Sequence, residues 1–395
     1  MDRMHNRTLT GKYSGEGPDI FRLAFITSFF TLITAGIYRF WAKTRIRKFI
    51  WSSVSLNKDS FEYTGTGLEK LLGFLVAIVV LALYLAVIQM GLFYFGLSLF
   101  TEPTTMEEMV AQIAATYITI FAVVPLWFFA VYRARRYKLA RTRWRGIRFG
   151  MEKGAWGYAL RAIGHWFLTI STLGLLLPRQ TFYLEKYMTD RSWYGNAQFH
   201  QGGKWTALYP AMANLAICVV LVVAGGALAT ASSPVLGVIV GIVGYVWAII
   251  GLVSYRVKAF TYLTAHKSIN GDVAFEANPQ TGTVIKIVLL GGLAVALVAA
   301  VLFGIAGAAL AAIFAAAGPG GSPVLIIAPL LLYVMALLVV GALSLAMITQ
   351  PLVRHVVETL KVENADGLDI IRQRVHDDGA DAEGFADALD VGGAI

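Results

Sequence analysis

A single cysteine, Cys218, stands in 395 residues. One cysteine excludes an intrachain disulfide and any cysteine-based metal centre. Charge is scarce as well: 14% of residues are Asp, Glu, Lys or Arg, while 57% are hydrophobic and mean hydropathy is +0.65. Soluble domains carry about 25% charged residues, so an ordinary soluble globule is excluded and an integral membrane protein is indicated. Enzyme signatures are missing too. There is no Gly-Lys-Ser/Thr phosphate loop, no His-Glu-x-x-His pair and no Gly-x-Ser-x-Gly elbow, so no catalysis and no cofactor are expected. The opening MDRMHNRTLTGKYSGEG lacks the charged-then-apolar layout of a cleaved signal, and none is expected to be removed.

What is present is a set of apolar segments at roughly 21–40, 71–100, 110–131, 158–177, 208–231, 235–254, 284–317 and 324–349. The short connections 101–109, 232–234 and 318–323 contain no Lys or Arg, whereas 41–70, 132–157, 178–207 and 255–283 all carry a surplus of Lys and Arg. Positive connections stay in the cytoplasm. The pattern therefore implies a multi-pass membrane protein with cytoplasmic termini. It also raises a difficulty, because 21–40 and 158–177 enter and leave on one side. Net charge is +9, and the acidic residues Asp377, Asp378, Asp381, Glu383, Asp387 and Asp390 concentrate at 376–395, which reads as a disordered tail.

Between the apolar segments the chain repeats an order: basic amphipathic stretch, turn, short alternating run. Ile46, Phe49 and Ile50 make a helical stripe among Lys43, Arg45, Arg47 and Lys48, and Leu184, Tyr187 and Met188 repeat the spacing. The alternating runs are Phe61–Tyr63, Ile147–Phe149, Ala197–Phe199, Val273–Phe275 and Leu368–Ile371, with Leu9–Tyr13 as a further candidate. Asn57-Lys58-Asp59, Gly195-Asn196 and Asn270-Gly271 supply hairpin turns. Small hairpins or one modest sheet are expected on the cytoplasmic face.

A shift of 138 residues aligns Ala24, Phe29, Thr31, Thr34, Gly36, Lys48, Phe61 and Gly65 with identical residues Ala162, Phe167, Thr169, Thr172, Gly174, Lys186, Phe199 and Gly203. This internal repeat predicts that 21–40 and 158–177 behave alike. If both crossed fully, a basic connection would lie outside. The expectation is an all-α polytopic membrane protein with six full transmembrane helices plus two re-entrant or interfacial segments; eight full spans is the alternative. The expected divisions are a first membrane repeat (1–145), a second (146–270), a C-terminal helical pair with a basic helix (271–375) and the acidic tail (376–395).

The spans hold no Asp, Glu, Lys, Arg or His within 71–100, 110–131, 208–254 or 287–348, which counts against an ion-coupled carrier. Gln89 and Asn214 read as interhelical hydrogen-bonding residues, and Gly237, Gly241 and Gly244 as close-packing positions. Arg22 and Arg161, near matching starts of the two copies, are candidates for headgroup snorkelling or an anion pocket between the copies. Lys43, Arg45, Arg47, Arg133, Arg136 and Arg141 are candidates for anionic-lipid contact, with Tyr38, Trp41 and Trp144 as interfacial aromatics. His165 reads as structural, and no metal constellation surrounds it. Anionic lipid headgroups are the expected partners, a protein partner is possible, and nucleic acid is not expected.

At Gly36-Ile37-Tyr38-Arg39-Phe40-Trp41-Ala42-Lys43-Thr44-Arg45 the chain resembles the YjgN-like family of bacterial inner-membrane proteins. Phe61-Glu62-Tyr63-Thr64-Gly65-Thr66-Gly67 and Gly384-Phe385-Ala386-Asp387-Ala388-Leu389-Asp390 extend the resemblance over essentially the whole chain. It implies a polytopic inner-membrane protein of unknown function and transfers no catalytic or ligand residue. The second copy departs from the motif, with Leu176, Leu177, Pro178 and Arg179 in place of Tyr38 to Trp41. Two functions stay open: a permease-like or lipid-handling protein, or a non-transporting scaffold that holds anionic lipid or a partner on its basic face.

Overall fold

A computed structural model describes residues 7–231, 233–317 and 327–374. The connection 318–323, the acidic stretch 376–395 and the motif 384–390 lie outside the described residues. Within them the chain runs through five cycles of strand, helix, helix, strand. The first is β1 (Leu9–Tyr13), α1 (Gly17–Ile33), α2 (Arg39–Ser53) and β2 (Val54–Leu56). The second is β3 (Asp59–Tyr63), α3 (Gly67–Tyr94), α4 (Met106–Ala140) and β4 (Thr142–Trp144). The third is β5 (Ile147–Met151), α5 (Ala155–Ser171), α6 (Leu177–Thr189) and β6 (Ser192–Tyr194). The fourth is β7 (Ala197–Gln201), α7 (Ala213–Ala231), α8 (Pro234–Ala265) and β8 (Lys267–Ile269). The fifth is β9 (Val273–Ala277), α9 (Thr281–Ala317), α10 (Ile327–Ser344), its continuation α11 (Gln350–Glu358) and β10 (Leu360–Glu363).

The all-α expectation is overturned. The ten strands close into an antiparallel barrel in the order β1-β10-β9-β8-β7-β6-β5-β4-β3-β2. Five strands fall where alternation marks them: β1, β3, β5, β7 and β9. Their partners β2, β4, β6 and β8 are three residues each and follow a helix directly, too short for a period-two pattern to register. The run Leu368–Ile371 is not a strand. Ala365–Leu368 is a 3₁₀ turn, and the last strand is β10.

The hairpin turns explain the registers. Asn57, Arg145, Gly146, Gly195, Asn270 and Gly271 all have φ between 49° and 84°, the left-handed backbone that two-residue hairpins require. Registers follow: Leu56 opposite Asp59, Trp144 opposite Ile147, Tyr194 opposite Ala197. Three turn asparagines also tie to a neighbouring segment by two bonds each. Asn57 donates its N–H to Thr10 O at 3.0 Å, and its Oδ1 accepts from Thr10 N at 3.1 Å. Asn270 does the same with Gln198, at 3.1 Å both ways, and Asn196 with Arg372 at 2.9 and 3.0 Å.

Six helices are long and apolar enough to cross a membrane: Gly67–Tyr94, Met106–Ala140, Trp205–Ala231, Pro234–Ala265, Thr281–Ala316 and Ile327–Glu358. Thr66, Thr105 and Ser233 cap three of them with side-chain oxygens, and Thr105 with Glu108 forms a full capping box. Segments 21–40 and 158–177 are each broken into two helices. α1 and α5 have 17 residues apiece, below the roughly 20 needed to span a hydrocarbon core. Their ends match atom for atom. Gly36 N donates to Thr31 O and Gly174 N to Thr169 O, each at 2.7 Å. Ala35 and Leu173 have φ of 48° and 51°, Gly36 and Gly174 of 91° and 90°. The Thr34 hydroxyl oxygen then accepts from Tyr38 N, and that of Thr172 from Leu176 N, starting the return helix. α1–α2 leaves β1 and returns to its paired neighbour β2, and α5–α6 does so between β5 and β6. That return explains how both segments begin and end on one side.

The chain forms two compact units, neither continuous in sequence. Unit 1 is Met1–Phe61, Thr206–Lys267 and Asp272–Leu368; unit 2 is Glu62–Trp205, Ser268–Gly271 and Asp369–Ile395. In unit 1, α7 and α8 pack backbone to backbone. A Cβ on Gly225 would meet Gly241 N at 2.9 Å and Gly237 O at 3.1 Å, and one on Gly237 would overlap the Ala229 backbone. Asn214 Nδ2 donates to Ser254 Oγ at 2.8 Å between the same helices. In unit 2, Gln89 Nε2 donates to Thr119 Oγ1 at 2.9 Å, joining α3 to α4. Its core gathers Tyr132, Met151, Ala155, Tyr158, Ala162, Leu184 and Tyr187.

Candidate anion-binding site

The densest basic stretch of the sequence lies on the last turns of α4 and runs into β4 and β5. Its members do different things. Arg135 makes a two-pronged ion pair with Glu185 of α6, at 2.8 and 3.0 Å. Arg141 pairs with Glu69 at 3.1 Å and lies over Tyr137, whose hydroxyl donates to the same Glu69 oxygen at 3.0 Å. Arg145 pairs with Asp369 at 2.9 Å and stacks 4.4 Å over Trp144. Arg136 is 2% exposed and donates from Nε to Met151 O at 2.9 Å. Equivalent ties recur elsewhere: Lys186 to Gln201 O at 2.7 Å, and Arg354 to Gly15 O at 2.6 Å. These three cations stand at the same distance before β4, β6 and β10. Each fastens a returning helix to a strand end by a charge-assisted hydrogen bond. Part of the positive charge therefore holds the fold rather than the topology.

Beside the tie at Arg136 the structure opens. A cavity of about 470 Å³ is lined by Phe129, Tyr132, Arg133 and Arg136 of α4 and by Lys153, Gly154, Ala155, Trp156 and Gly157 at the start of α5. Arg133 and Lys153 meet there with the first turn of a helix, whose leading N–H groups have no intrahelical acceptor and whose dipole favours an anion, and the buried Arg136 backs the wall. Phe129 and Trp156 lie 4.8 Å apart as an aromatic wall, and Arg133 sits 5.8 Å over Phe129. The loop that begins α5 is pinned by phenols: Tyr132 donates to Glu152 O at 2.8 Å and Tyr187 to Gly154 O at 3.0 Å. A Cβ at Gly157 would displace the Tyr187 hydroxyl from its place beside the loop.

A second cavity of about 280 Å³ lies on the other side of Tyr187, lined by Arg161, His165, Tyr183, Lys186, Asp190 and Arg191. Arg161 and Arg191 lie 4.8 and 3.7 Å from the Tyr187 ring centre. His165 stacks on Tyr183 at 5.6 Å. Burial, and then the charge of Arg179, hold its pKa below the ordinary imidazole value, so the ring is neutral at pH 7.

A family model described as "Bacterial protein of unknown function (DUF898)" matches residues 8–237, more than half of the chain. The chain belongs to this family. It is also 27% identical over 157 residues to "Inner membrane protein YjgN" of Salmonella typhimurium (strain LT2), covering 39% of this chain. The match spans about a third of that relative, 34% of its length. No solved structure matches. The family assignment agrees with the resemblance carried by the Tyr-Arg-Phe-Trp-Ala-Lys stretch, and the family range includes the whole α4–α5 site.

The other expected site residues are placed as follows. Tyr38, Trp41 and Arg45 come together at the start of α2, with Tyr38 stacked 6.2 Å from Trp41 and Arg45 5.6 Å from the Tyr38 ring. Lys43 is half-buried on the same helix. Arg47 is 1% exposed and Trp144 2% exposed, so neither offers its side chain to a headgroup. Trp144 instead packs 5.8 Å from Tyr194, whose hydroxyl donates to Trp144 O. Arg22 is exposed on α1 in unit 1, and Arg161 lines the smaller cavity of unit 2. Lys153 escaped sequence reading, and the phenols Tyr132 and Tyr187, whose composition suits a headgroup region and an amphipathic stripe, are buried instead. Lys153 stands alone between a strand and a helix, and the tyrosines look like ordinary stripe residues.

Proposed function

We propose that the protein is a bacterial inner-membrane lipid-binding scaffold that captures anionic headgroups at the α4–α5 junction, with its strands and termini in the cytoplasm. The observation that carries this reading is that Arg133 and Lys153 line a cavity at a helix start, beside the apolar stretch of α4 and the buried tie at Arg136. A phosphate meets two positive side chains and the leading N–H groups of a helix there, while acyl chains would lie along Phe129 and Trp156. The charge distribution supports the orientation, because the basic residues cluster on the strand-bearing connections. The name of the YjgN relative supports the inner membrane. The matched turns at Thr34–Gly36 and Thr172–Gly174 support an internal repeat.

A scaffold is favoured over a permease because the polar residues of the spans are spent on each other. Gln89 bonds Thr119 and Asn214 bonds Ser254, and the glycine face of α8 is filled by α7. This reading assigns the chain no catalysis. The test uses full-length protein in phosphatidylcholine nanodiscs doped with an anionic phospholipid, with retained lipid counted by native mass spectrometry. Combining Arg133→Ala with Lys153→Ala should lower anionic lipid retained at this site about tenfold, the worth of one or two charge-assisted bonds. Unchanged retention would sink the reading.

A further inference from the structure

The cycle of strand, helix, helix and strand has a consequence in unit 1. There a cavity of about 460 Å³ is lined by Lys258, Thr261, Tyr262 and Ala265 of α8 and by Asn278, Pro279 and Thr281. Its place in the cycle is that of the α4–α5 cavity. Lys258 and Thr261 stand the same distances before β8 as Arg133 and Arg136 stand before β4. Asn278 and Pro279 lie in the short loop between β9 and α9, as Lys153 and Gly154 do between β5 and α5. Thr281 opens its helix as Ala155 does.

We infer that this cavity is a second headgroup site, and that its ligand is a monoanionic phosphate ester bearing free hydroxyls, of the glycerol phosphate type. Where the unit 2 site brings Arg133 and Lys153 in front of the buried Arg136, this one brings one cation, Lys258, with two threonine hydroxyls, a phenol and a carboxamide. A bare phosphate can only accept hydrogen bonds, so a lining rich in groups that also accept selects a ligand that also donates. Asn278 shows the point. Its Nδ2 is held by Glu276 Oε1 at 2.5 Å, which leaves its carbonyl oxygen as the acceptor for a hydroxyl. The Glu276 carboxylate also opposes a second negative charge nearby. The phosphate end is served by Lys258 and by the first turn of α9. Gln280 N is already bonded to His355 Nε2 at 2.9 Å, and Val284 N makes the first intrahelical bond, to Gln280 O. The N–H groups of 281–283 lie between those two and have no intrahelical acceptor.

The site does not depend on the unit 2 reading, and the experiment separates the two. Full-length protein in phosphatidylcholine nanodiscs is given phosphatidylglycerol, phosphatidic acid or soluble glycerophosphoglycerol, and bound species are counted by native mass spectrometry. Lys258→Ala should reduce retained phosphatidylglycerol by one molecule, with at least fivefold lower occupancy, and Lys258→Arg should restore it. The Arg133→Ala, Lys153→Ala double variant should keep that molecule. Retention of the full phosphatidylglycerol count by Lys258→Ala overturns the site. Equal retention of phosphatidic acid, which lacks the hydroxyls, overturns the ligand class. Saturation of the Lys258 site by glycerophosphoglycerol supports it and names the soluble diester as the source. Loss on Lys258→Ala with no change in the double variant upholds this site and removes the one in unit 2.

Discussion

Units 1 and 2 run through the same order of elements and hold their helices together by opposite means. In unit 1, α7 meets α8 through glycines, and at Gly225, Gly237, Gly244 and Gly251 an added Cβ would press on the facing helix. In unit 2, α4, α5 and α6 meet through Tyr132, Tyr158 and Tyr187 and through the Arg135–Glu185 pair. The difference follows from where the contacts fall. Inside a bilayer there is no hydrophobic drive between helices, so small residues and close van der Waals contact must serve. At the helix ends beside the strands, phenols and guanidinium groups can reach carbonyls and carboxylates, and large amphipathic side chains hold more contact area per residue. One topology therefore accepts two packing chemistries.

Three substitutions would break or sharpen that contrast. Gly237→Leu should have the largest effect, because its Cβ would run into the Ala229 backbone rather than a movable side chain. Overpacking of this kind costs about 1–3 kcal/mol, and the upper end is expected here as a fall in detergent-unfolding midpoint. Gly241→Ala is the control, since nothing lies within 4 Å of its added Cβ. Glu185→Ala should come next. It leaves the Arg135 guanidinium without its two-pronged partner, at about 1–3 kcal/mol, partly offset by water reaching the half-exposed pair. Chemical denaturation with Arg135→Ala in a double-mutant cycle would isolate the coupling, and a coupling near zero would show the pair to be incidental. Gln89→Leu should be smallest, near 0.6 kcal/mol, the average for an interhelical polar bond in a membrane. A larger loss, measured by steric trapping, would give Gln89 a role beyond joining α3 to α4.

Much of this molecule was legible from its residues. The six long apolar helices, the odd-numbered strands and the turns at Asn57, Gly195 and Asn270 follow from hydropathy, alternation and left-handed backbone preference. The matching turns at Gly36 and Gly174 follow from the aligned Thr and Gly residues. The basic cluster was visible as a cluster, but its division of labour was not. Arg133 and Arg136 look alike in a row of cations, yet Arg136 ties down Met151 and Arg133 sits over Phe129 beside the cavity. Trp144 carries the composition of an interfacial aromatic and is buried beside Tyr194. For Arg136 and Trp144 the deciding neighbour, Met151 or Tyr194, lies 15 or 50 residues along the chain, beyond the reach of a helical or strand period.

By itself the sequence determined the membrane class, the long apolar helices and the places where the backbone turns. Those depend on composition and on interactions within a few residues. Only the tertiary structure decided that three-residue strands at the ends of helices join their longer partners in a closed ring. It also decided that 21–40 and 158–177 are each interrupted by a turn, and that cations of one cluster divide between ties and a cavity. A strand is stabilised by the hydrogen bonds of a neighbour that can be hundreds of residues away, as β10 is for β1. A cavity exists only once the helix, loop and helix that wall it have met.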